Sequence, residues 1–139
     1  MHNDALGFSS LRTGRDLGEL RLTVPVAANE RYWRAAGIDH LSLRAGTLYP
    51  PIAANLTVLL FGAVCRDPVI QTRQHLRCHR RADAGIELVT TGRIVDAYDK
   101  RGRAYVDVDA IVTTADTPDA PLWDSSVTFT PAATFGARP

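Results

Sequence analysis

Several features that would assign this protein to a class at once are missing from its 139 residues. There are only two cysteines, Cys65 and Cys78, which are too few and too poorly spaced for a disulfide framework or a zinc site. The 16 Lys and Arg residues nearly balance the 15 Asp and Glu residues, so the formal net charge is +1. The sequence therefore predicts reduced thiols, no metal, no cofactor and no nucleic-acid partner.

Membrane signals are also missing. The longest apolar run, residues 52–64, is too short and too interrupted to span a bilayer. The first residues, MHNDALGFSSLRTG, lack the basic-then-apolar order of a signal peptide. We therefore expect a cytoplasmic protein with no membrane partner, and its length suits a single domain with its own core.

The most informative stretch that is present covers residues 45–64, AGTLYPPIAANLTVLLFGAV. It combines a glycine-bearing loop, two prolines and an apolar helix. Pro51 suits the start of that helix, because the N–H that proline lacks would be unbonded there. Because the helix is apolar on nearly all sides, we expect most of its surface to be buried.

Extended segments account for most of the remaining chain. Residues 19–26 predict a first strand, and Asn29 predicts the N-cap of a short helix that ends at Gly37. Four further strands are predicted at residues 69–80, 85–98, 104–114 and 122–130, with a bend at Gly92 and a hairpin turn at 99–103.

Together these elements predict an α+β domain over residues 19–131, in which a curved antiparallel β-sheet wraps around one buried central helix. Residues 1–18 show only weak periodicity, so we expect a loose N-terminal arm there. Residues 132–139 are expected to form a flexible tail.

This order of elements resembles the hotdog fold, and its details resemble the MaoC-like branch of hydratases and dehydratases. The resemblance rests on YWRAAGIDH, on AGTLYPPIAANL and on the hairpin VTTGRIVDAYDKRGRAYVDVDAIV. It implies an acyl-CoA or acyl-carrier-protein substrate, and hydration, dehydration or a related conjugate addition or cyclisation at the α,β-position. It also implies a homodimer, or a hetero-oligomer with a sister hotdog subunit, because one hotdog domain leaves an open sheet edge.

The sequence departs from the catalytic pattern of that family. The usual pattern is an aspartate, a histidine about five residues later and a His-Gly pair at the helix start, which together supply acid, base and carbonyl polarisation. This chain instead has the adjacent pair Asp39-His40, and no histidine or glycine opens its helix. Either the catalytic set has been rebuilt, or the chain is a non-catalytic subunit that binds acyl chains or completes a heteromeric hydratase.

The candidate catalytic residues precede the central helix. His40 is the candidate acid or base, because the ordinary pKa of histidine suits proton transfer near neutral pH. Asp39 or Tyr49 would assist it. The alternatives are a solvent-facing histidine, an Asx turn at the aspartate and a packing role for the tyrosine.

The candidate substrate-binding residues lie at the start of the helix. They are Gly46, Ile52, Ala53, Ala54 and Asn55. Amides in the first turn of a helix have no intrahelical partner, so those of residues 52–54 are expected to polarise a thioester carbonyl. Asn55 is expected either to contact substrate or to bond a neighbouring strand.

Other polar clusters favour ordinary structural roles. His75 and His79 share a strand face but have no evident third metal ligand. The basic turns at residues 80–81 and 100–103 are expected to be solvated tips or phosphate contacts of a carrier, and Asp107 and Asp109 are expected on an outer face. A thioesterase is a further alternative, but no acid lies between Thr47 and Cys65 to serve it.

Overall fold

A computed structural model describes residues 5–37 and 46–133, which contain a five-stranded antiparallel sheet and two helices. In chain order the elements are β1 (Asp16–Thr23), α1 (Val26–Ala35), α2 (Ile52–Val64), β2 (Val69–Cys78), β3 (Glu87–Lys100), β4 (Arg103–Thr114) and β5 (Trp123–Pro131). The strand order is β1-β3-β4-β5-β2. The predicted α+β architecture is therefore confirmed, with β1 and β2 at the two edges of the sheet.

The core lies between α2 and the inner face of the sheet. Phe61 of α2 is fully buried, and its ring stacks on that of Phe129 in β5 with centroids 4.2 Å apart. The buried residues of β4 are Val106, Val108, Ala110 and Val112, which confirms the alternation predicted for that strand. A buried hydrogen bond of 2.7 Å between the hydroxyls of Thr57 and Ser125 also joins α2 to the sheet.

Gly92 lies at a point of close approach within the sheet. A Cβ at this position would lie 2.8 Å from the carbonyl oxygen of Asp109 and 3.1 Å from Cδ2 of Leu60. The register of β3 also shifts between Ile94 and Asp96. The irregularity predicted at this glycine therefore lies further along the strand, and Gly92 itself pairs regularly with Ala110. Glycine is required there because only a residue without a side chain fits between β4 and α2.

The β3–β4 turn is as tight as its sequence predicts. Arg101 and Gly102 connect the paired residues Lys100 and Arg103, and both have positive φ, 53° and 77°. Positive φ at both central residues is the requirement of a type I′ hairpin turn. Asparagine or glycine is usual at the first of these positions, so an arginine there is uncommon.

The expectation of a loose arm at residues 1–18 is wrong for residues 5–18, which pack on the domain. Phe8 and Leu11 are 4% and 2% exposed and belong to the core around Phe61. The backbone N–H of Phe8 donates to Oδ2 of Asp67 at 2.8 Å, and β1 begins as early as Asp16. The buried residues of this segment follow no helix or strand period, which is why the pattern did not reveal them. Of the predicted tail, residues 132–139, the part from residue 134 onwards lies outside the described residues.

The predicted N-cap of α1 is also wrong. The helix begins at Val26 with Pro25 as its N-cap, so Asn29 lies within the helix and is 1% exposed. Gly37 follows the helix with a φ of 75°, which confirms the predicted left-handed end. Pro25 also ends β1 earlier than predicted, at Thr23.

One side of α2 is not covered by the sheet, although burial nearly all round was predicted. Its exposed residues follow the helical spacing of a single face. We call them the bare stripe: Asn55, Val58, Leu59, Gly62 and Ala63. Val58 and Leu59 are 37% and 53% exposed. Exposed apolar faces such as this one, seen within residues 5–37 and 46–133, are typical of interaction sites in soluble proteins.

Candidate functional site

Two side chains of α1 fix the loop that leads into α2. The Asn29 amide donates to the carbonyl oxygen of Thr47 at 2.9 Å, and its own oxygen accepts from the N–H of Tyr49 at 2.8 Å. The indole N–H of Trp33, one turn along the same face, donates to the Thr47 carbonyl at 2.8 Å. The conformation of this loop is therefore set by α1, and not by the loop sequence alone.

Tyr49 is held in an aromatic cluster. Its ring stacks on Tyr32 with centroids 6.0 Å apart and meets Trp33 edge-on at 5.0 Å. Aromatic pairs of this geometry stabilise a fold beyond the area they bury. The packing role that was one alternative for Tyr49 is therefore present, and an assisting role in catalysis stays a prediction.

The first-turn amides of α2 are not free, so this expectation is wrong. The N–H groups of Ile52, Ala53 and Ala54 donate to the carbonyls three residues earlier, at 3.1, 3.0 and 3.2 Å respectively. Such bonds tighten the first turn and satisfy donors that a helix otherwise leaves open. The side chains of Ile52 and Ala53 are buried in the core.

The other predicted site residues are spread over different surroundings. Gly46 has a φ of 72°, and its carbonyl accepts from the N–H of Ala84 at 2.9 Å, so it anchors the start of the loop. Asn55 lies on the bare stripe of α2 and is exposed. Asp39 and His40 lie outside the described residues.

A groove beside the start of α2 was not found by sequence reasoning. It has a volume of about 340 Å³ and lies between the loop and the segment that follows β2. Its lining residues are Thr47, Leu48, Pro50, Cys78, His79, Arg80, Arg81, Ala82 and Trp123. The hydroxyl oxygen of Thr47 is buried and has no hydrogen-bond partner within the described part of the chain. A threonine in a loop gives no sequence signal that its hydroxyl is buried without a partner.

Basic and histidine clusters have structural partners. Nε2 of His79 lies 2.5 Å from Oδ2 of Asp124. The guanidinium of Arg80 donates to the carbonyl oxygen of Ala120 at 2.6 Å. Across residues 5–37 and 46–133, no group of three or more His, Cys, Asp or Glu side chains could hold a metal ion. Arg80 is therefore bonded to the loop before β5, and is not simply a solvated turn residue.

The outer face of the sheet is polar and internally bonded. Asp107 accepts hydrogen bonds from the hydroxyls of Thr128 at 2.7 Å and Tyr98 at 3.1 Å, and Asp109 accepts from Ser126 at 2.9 Å. Burial, and then the bond to Asp107, raises the pKa of the Tyr98 hydroxyl. The predicted outward orientation of both aspartates is confirmed, and they bind neighbouring strands.

The two cysteines differ in exposure. Cys65 is buried at the end of α2 and Cys78 is exposed at the end of β2, and both are free. Burial raises the pKa of the Cys65 thiol, so this side chain behaves as a small apolar residue of the core. No helix of the described segments is long and apolar enough to cross a membrane.

Comparison with known proteins finds its matches among solved structures. No family model and no curated protein matches the sequence. The R-hydratase PhaJ1 from Pseudomonas aeruginosa is 14% identical, with a TM-score of 0.72 over 91% of this chain and 86% of that chain. A MaoC-like dehydratase from Rhodospirillum rubrum is 15% identical, with a TM-score of 0.71 over 91% of this chain and 97% of that one.

A third match is an assembly of different subunits. The HadBC 3R-hydroxyacyl-ACP dehydratase complex from Mycobacterium tuberculosis contains a chain that is 16% identical, with a TM-score of 0.66 over 86% of this chain and 93% of that one. At such identities the likeness establishes the fold that these proteins share. The chain therefore has the hotdog fold, in the form seen in R-hydratases and MaoC-like dehydratases, and the predicted resemblance is confirmed at that level.

Proposed function

We propose that this chain acts on acyl thioesters as a hotdog hydratase or dehydratase, adding water to or removing it from the α,β-position. The observation that carries the proposal is the groove at the start of α2, which Thr47 lines. The hydroxyl of this threonine is buried and has no partner among the described residues. The apolar residues Leu48, Pro50, Ala82 and Trp123 are among those that line the groove, which suits an acyl chain. The shared fold of R-hydratases and dehydratases supports the same chemistry.

Thr47 takes the role that the helix amides cannot take. Those amides are bonded within the turn, whereas the Thr47 hydroxyl is a donor without an acceptor in the described chain. A hydrogen bond from this hydroxyl to the thioester carbonyl would stabilise the negative charge that develops on the oxygen as water adds.

His40 is proposed as the acid or base, with Asp39 or Tyr49 assisting it. In hydration, a base removes a proton from water, the oxygen bonds to the β-carbon, and an acid returns a proton to the α-carbon. Dehydration reverses these steps. The segment that contains His40 runs directly into Gly46, which anchors the loop beside the groove.

The test is a mass-spectrometric assay with short and medium enoyl-CoA substrates. The wild-type protein should add one water, and His40→Ala should lower turnover by about 100-fold or more, the usual contribution of a general acid or base. Thr47→Val keeps the side-chain volume but removes the donor, so it should cost about 10- to 100-fold in turnover.

A second test replaces Asp39, and its matched control makes the same replacement at an exposed aspartate. Asp39→Asn should lower turnover, whereas Asp119→Asn, on an exposed loop before β5, should leave it unchanged. Equal turnover by wild type and His40→Ala would contradict the role given to His40. An absence of turnover by the wild type would favour the second candidate function below.

The second candidate is a non-catalytic subunit that binds acyl chains or completes a heteromeric hydratase. It is favoured by the first-turn amides, all three of which are already bonded, and by the missing histidine at the helix start. In either function we propose assembly with a second hotdog domain, in a homodimer or a hetero-oligomer, because the bare stripe and an edge strand are open. A cytoplasmic location fits the two free cysteines.

A further inference from the structure

Among the described residues, no strand pairs with the outer side of the edge strand β2. Its neighbour in the sheet is β5, and most of its residues are exposed. The register shift of β2 lies between Gln71 and Arg73, so residues 73–78 pair with β5 without interruption. An edge of this kind, regular over residues 73–78, is a template for a strand of another chain.

The other edge is less suited to such pairing. In β1 the register shifts between Asp16 and Glu19, and Gly18 within the shift has a φ of 80°. Bulges twist an edge away and disfavour the addition of a strand. The edge that another chain can extend is therefore β2.

The bare stripe is a second exposed surface of the chain, and it is mostly apolar. It belongs to α2, which β2 follows in the chain and contacts. We call the outer edge of β2 and the bare stripe together the docking surface. Its occupant must supply both an edge strand and an apolar face, which is what a second hotdog domain offers.

The charge of β2 discriminates between possible occupants. The strand carries Arg73, His75 and Arg77 and contains no acid. The register with β5 sets these residues opposite Thr128, Ser126 and Asp124, on the outer face of the sheet. The edge is therefore basic along its regular part.

A second copy of this chain is a poor match for such an edge. Antiparallel pairing of two β2 strands centred on Arg73, Gln74 or His75 leaves Arg73 opposite Arg73, His75 or Arg77 of the other copy, and never opposite a carboxylate. Registers centred on Arg73 or His75 place two arginines opposite each other, and like charges in that position destabilise a strand pair. The register centred on Gln74 places Arg73 opposite His75, which carries no formal charge, so none of the three registers supplies the opposite charges that stabilise a pair.

We infer that the docking surface takes a non-identical hotdog subunit whose own edge strand is acidic. Complementary charge both orients such a partner and disfavours self-association. This inference deepens the assembly given under the proposed function, but it is tested by association alone, so its outcome is independent of turnover.

The test uses a charge-inverted copy of this chain as the acidic probe. In Arg73→Glu/His75→Glu the residues opposite on β5 are Thr128 and Ser126, which are uncharged, so the fold should tolerate both changes. In the register centred on Gln74, the two introduced carboxylates face His75 and Arg73 of the unmodified chain. Analytical ultracentrifugation then measures each protein alone and the 1:1 mixture.

The mixture should form a 1:1 complex at least about tenfold tighter than the self-association of either protein, and added salt should weaken it. Leu59→Asp in the charge-inverted copy should abolish the complex, because it places a charge on the bare stripe. Ala27→Glu/Arg31→Glu is the matched control: it makes the same change in formal charge on the exposed side of α1 and should give no added affinity.

Two results would overturn the inference. One is a homodimer of the unmodified chain that is as tight as the mixed complex. The other is a mixture that associates no better than its two components, which would show that the charge of β2 does not select the partner.

Discussion

Replacing Gly92 with valine should lower the free energy of unfolding by about 3 kcal/mol, the upper part of the range for overpacking a core. A Cβ here would meet the carbonyl oxygen of Asp109 at 2.8 Å and the side chains of Leu60 and Ala110 at 3.1 and 3.3 Å. The nearest of these is a backbone atom in the centre of the sheet, so it cannot move without disturbing the β3–β4 pairing. Urea unfolding followed by circular dichroism measures the change.

Gly62→Ala provides the control for this substitution. Gly62 lies on the bare stripe of α2, and a Cβ there would meet nothing within 4 Å. Alanine should stabilise the helix by about 0.5–1 kcal/mol, because it restricts the unfolded chain more than glycine does. Equal unfolding midpoints for Gly92→Val and the wild type would refute the close approach of β3 to α2.

Asn29→Ala should destabilise the protein by about 2 kcal/mol, because it leaves a buried donor without a partner. The Asn29 oxygen accepts from the N–H of Tyr49, and its amide donates to the carbonyl of Thr47. Trp33 still donates to that carbonyl after the substitution. The group that loses its hydrogen-bond partner is therefore the backbone N–H of Tyr49. Thermal and urea unfolding of the variant would measure it.

Two further substitutions sharpen this prediction. Asn29→Asp keeps the acceptor for Tyr49 but turns a carboxylate oxygen towards the Thr47 carbonyl, so it should also destabilise. Asn55→Ala removes the same side chain from the exposed face of α2 and should change stability by less than about 0.5 kcal/mol. Equal effects of Asn29→Ala and Asn55→Ala would mean that Asn29 does not hold the loop.

The sequence predicted the sheet well, because alternation and turn chemistry are local signals. β4 shows the expected inner face, the β3–β4 turn has positive φ at both central residues, and Gly92 marks a close approach. The resemblance to hotdog hydratases also held at the level of the fold.

The N-terminal residues and the first helix were predicted less well, because their roles depend on distant partners. Phe8 and Leu11 are buried against Phe61, and no local period marks them. Asn29 has the residue type of an N-cap, yet it bonds a loop 18 and 20 residues further along the chain. A single sequence carries no signal for such pairings.

The candidate site was predicted less well than the sheet. The groove beside the start of α2 was not predicted, and the amides that were to polarise the substrate are bonded within the turn. Whether first-turn amides are free depends on the carbonyls that the preceding residues present to them, and residue types alone do not specify this. The buried hydroxyl of Thr47, which has no partner among the described residues, became evident only from its surroundings.

The central claim is that the groove at the start of α2 binds an acyl thioester. The most direct measurement is a titration of the ¹⁵N-labelled protein with butyryl-CoA, which cannot be hydrated, followed by NMR and compared with CoA alone. We expect butyryl-CoA, but not CoA alone, to shift the amide signals of Thr47, Leu48 and Ala82 around the groove. Shifts confined to the β3–β4 turn, or identical shifts with both ligands, would contradict it.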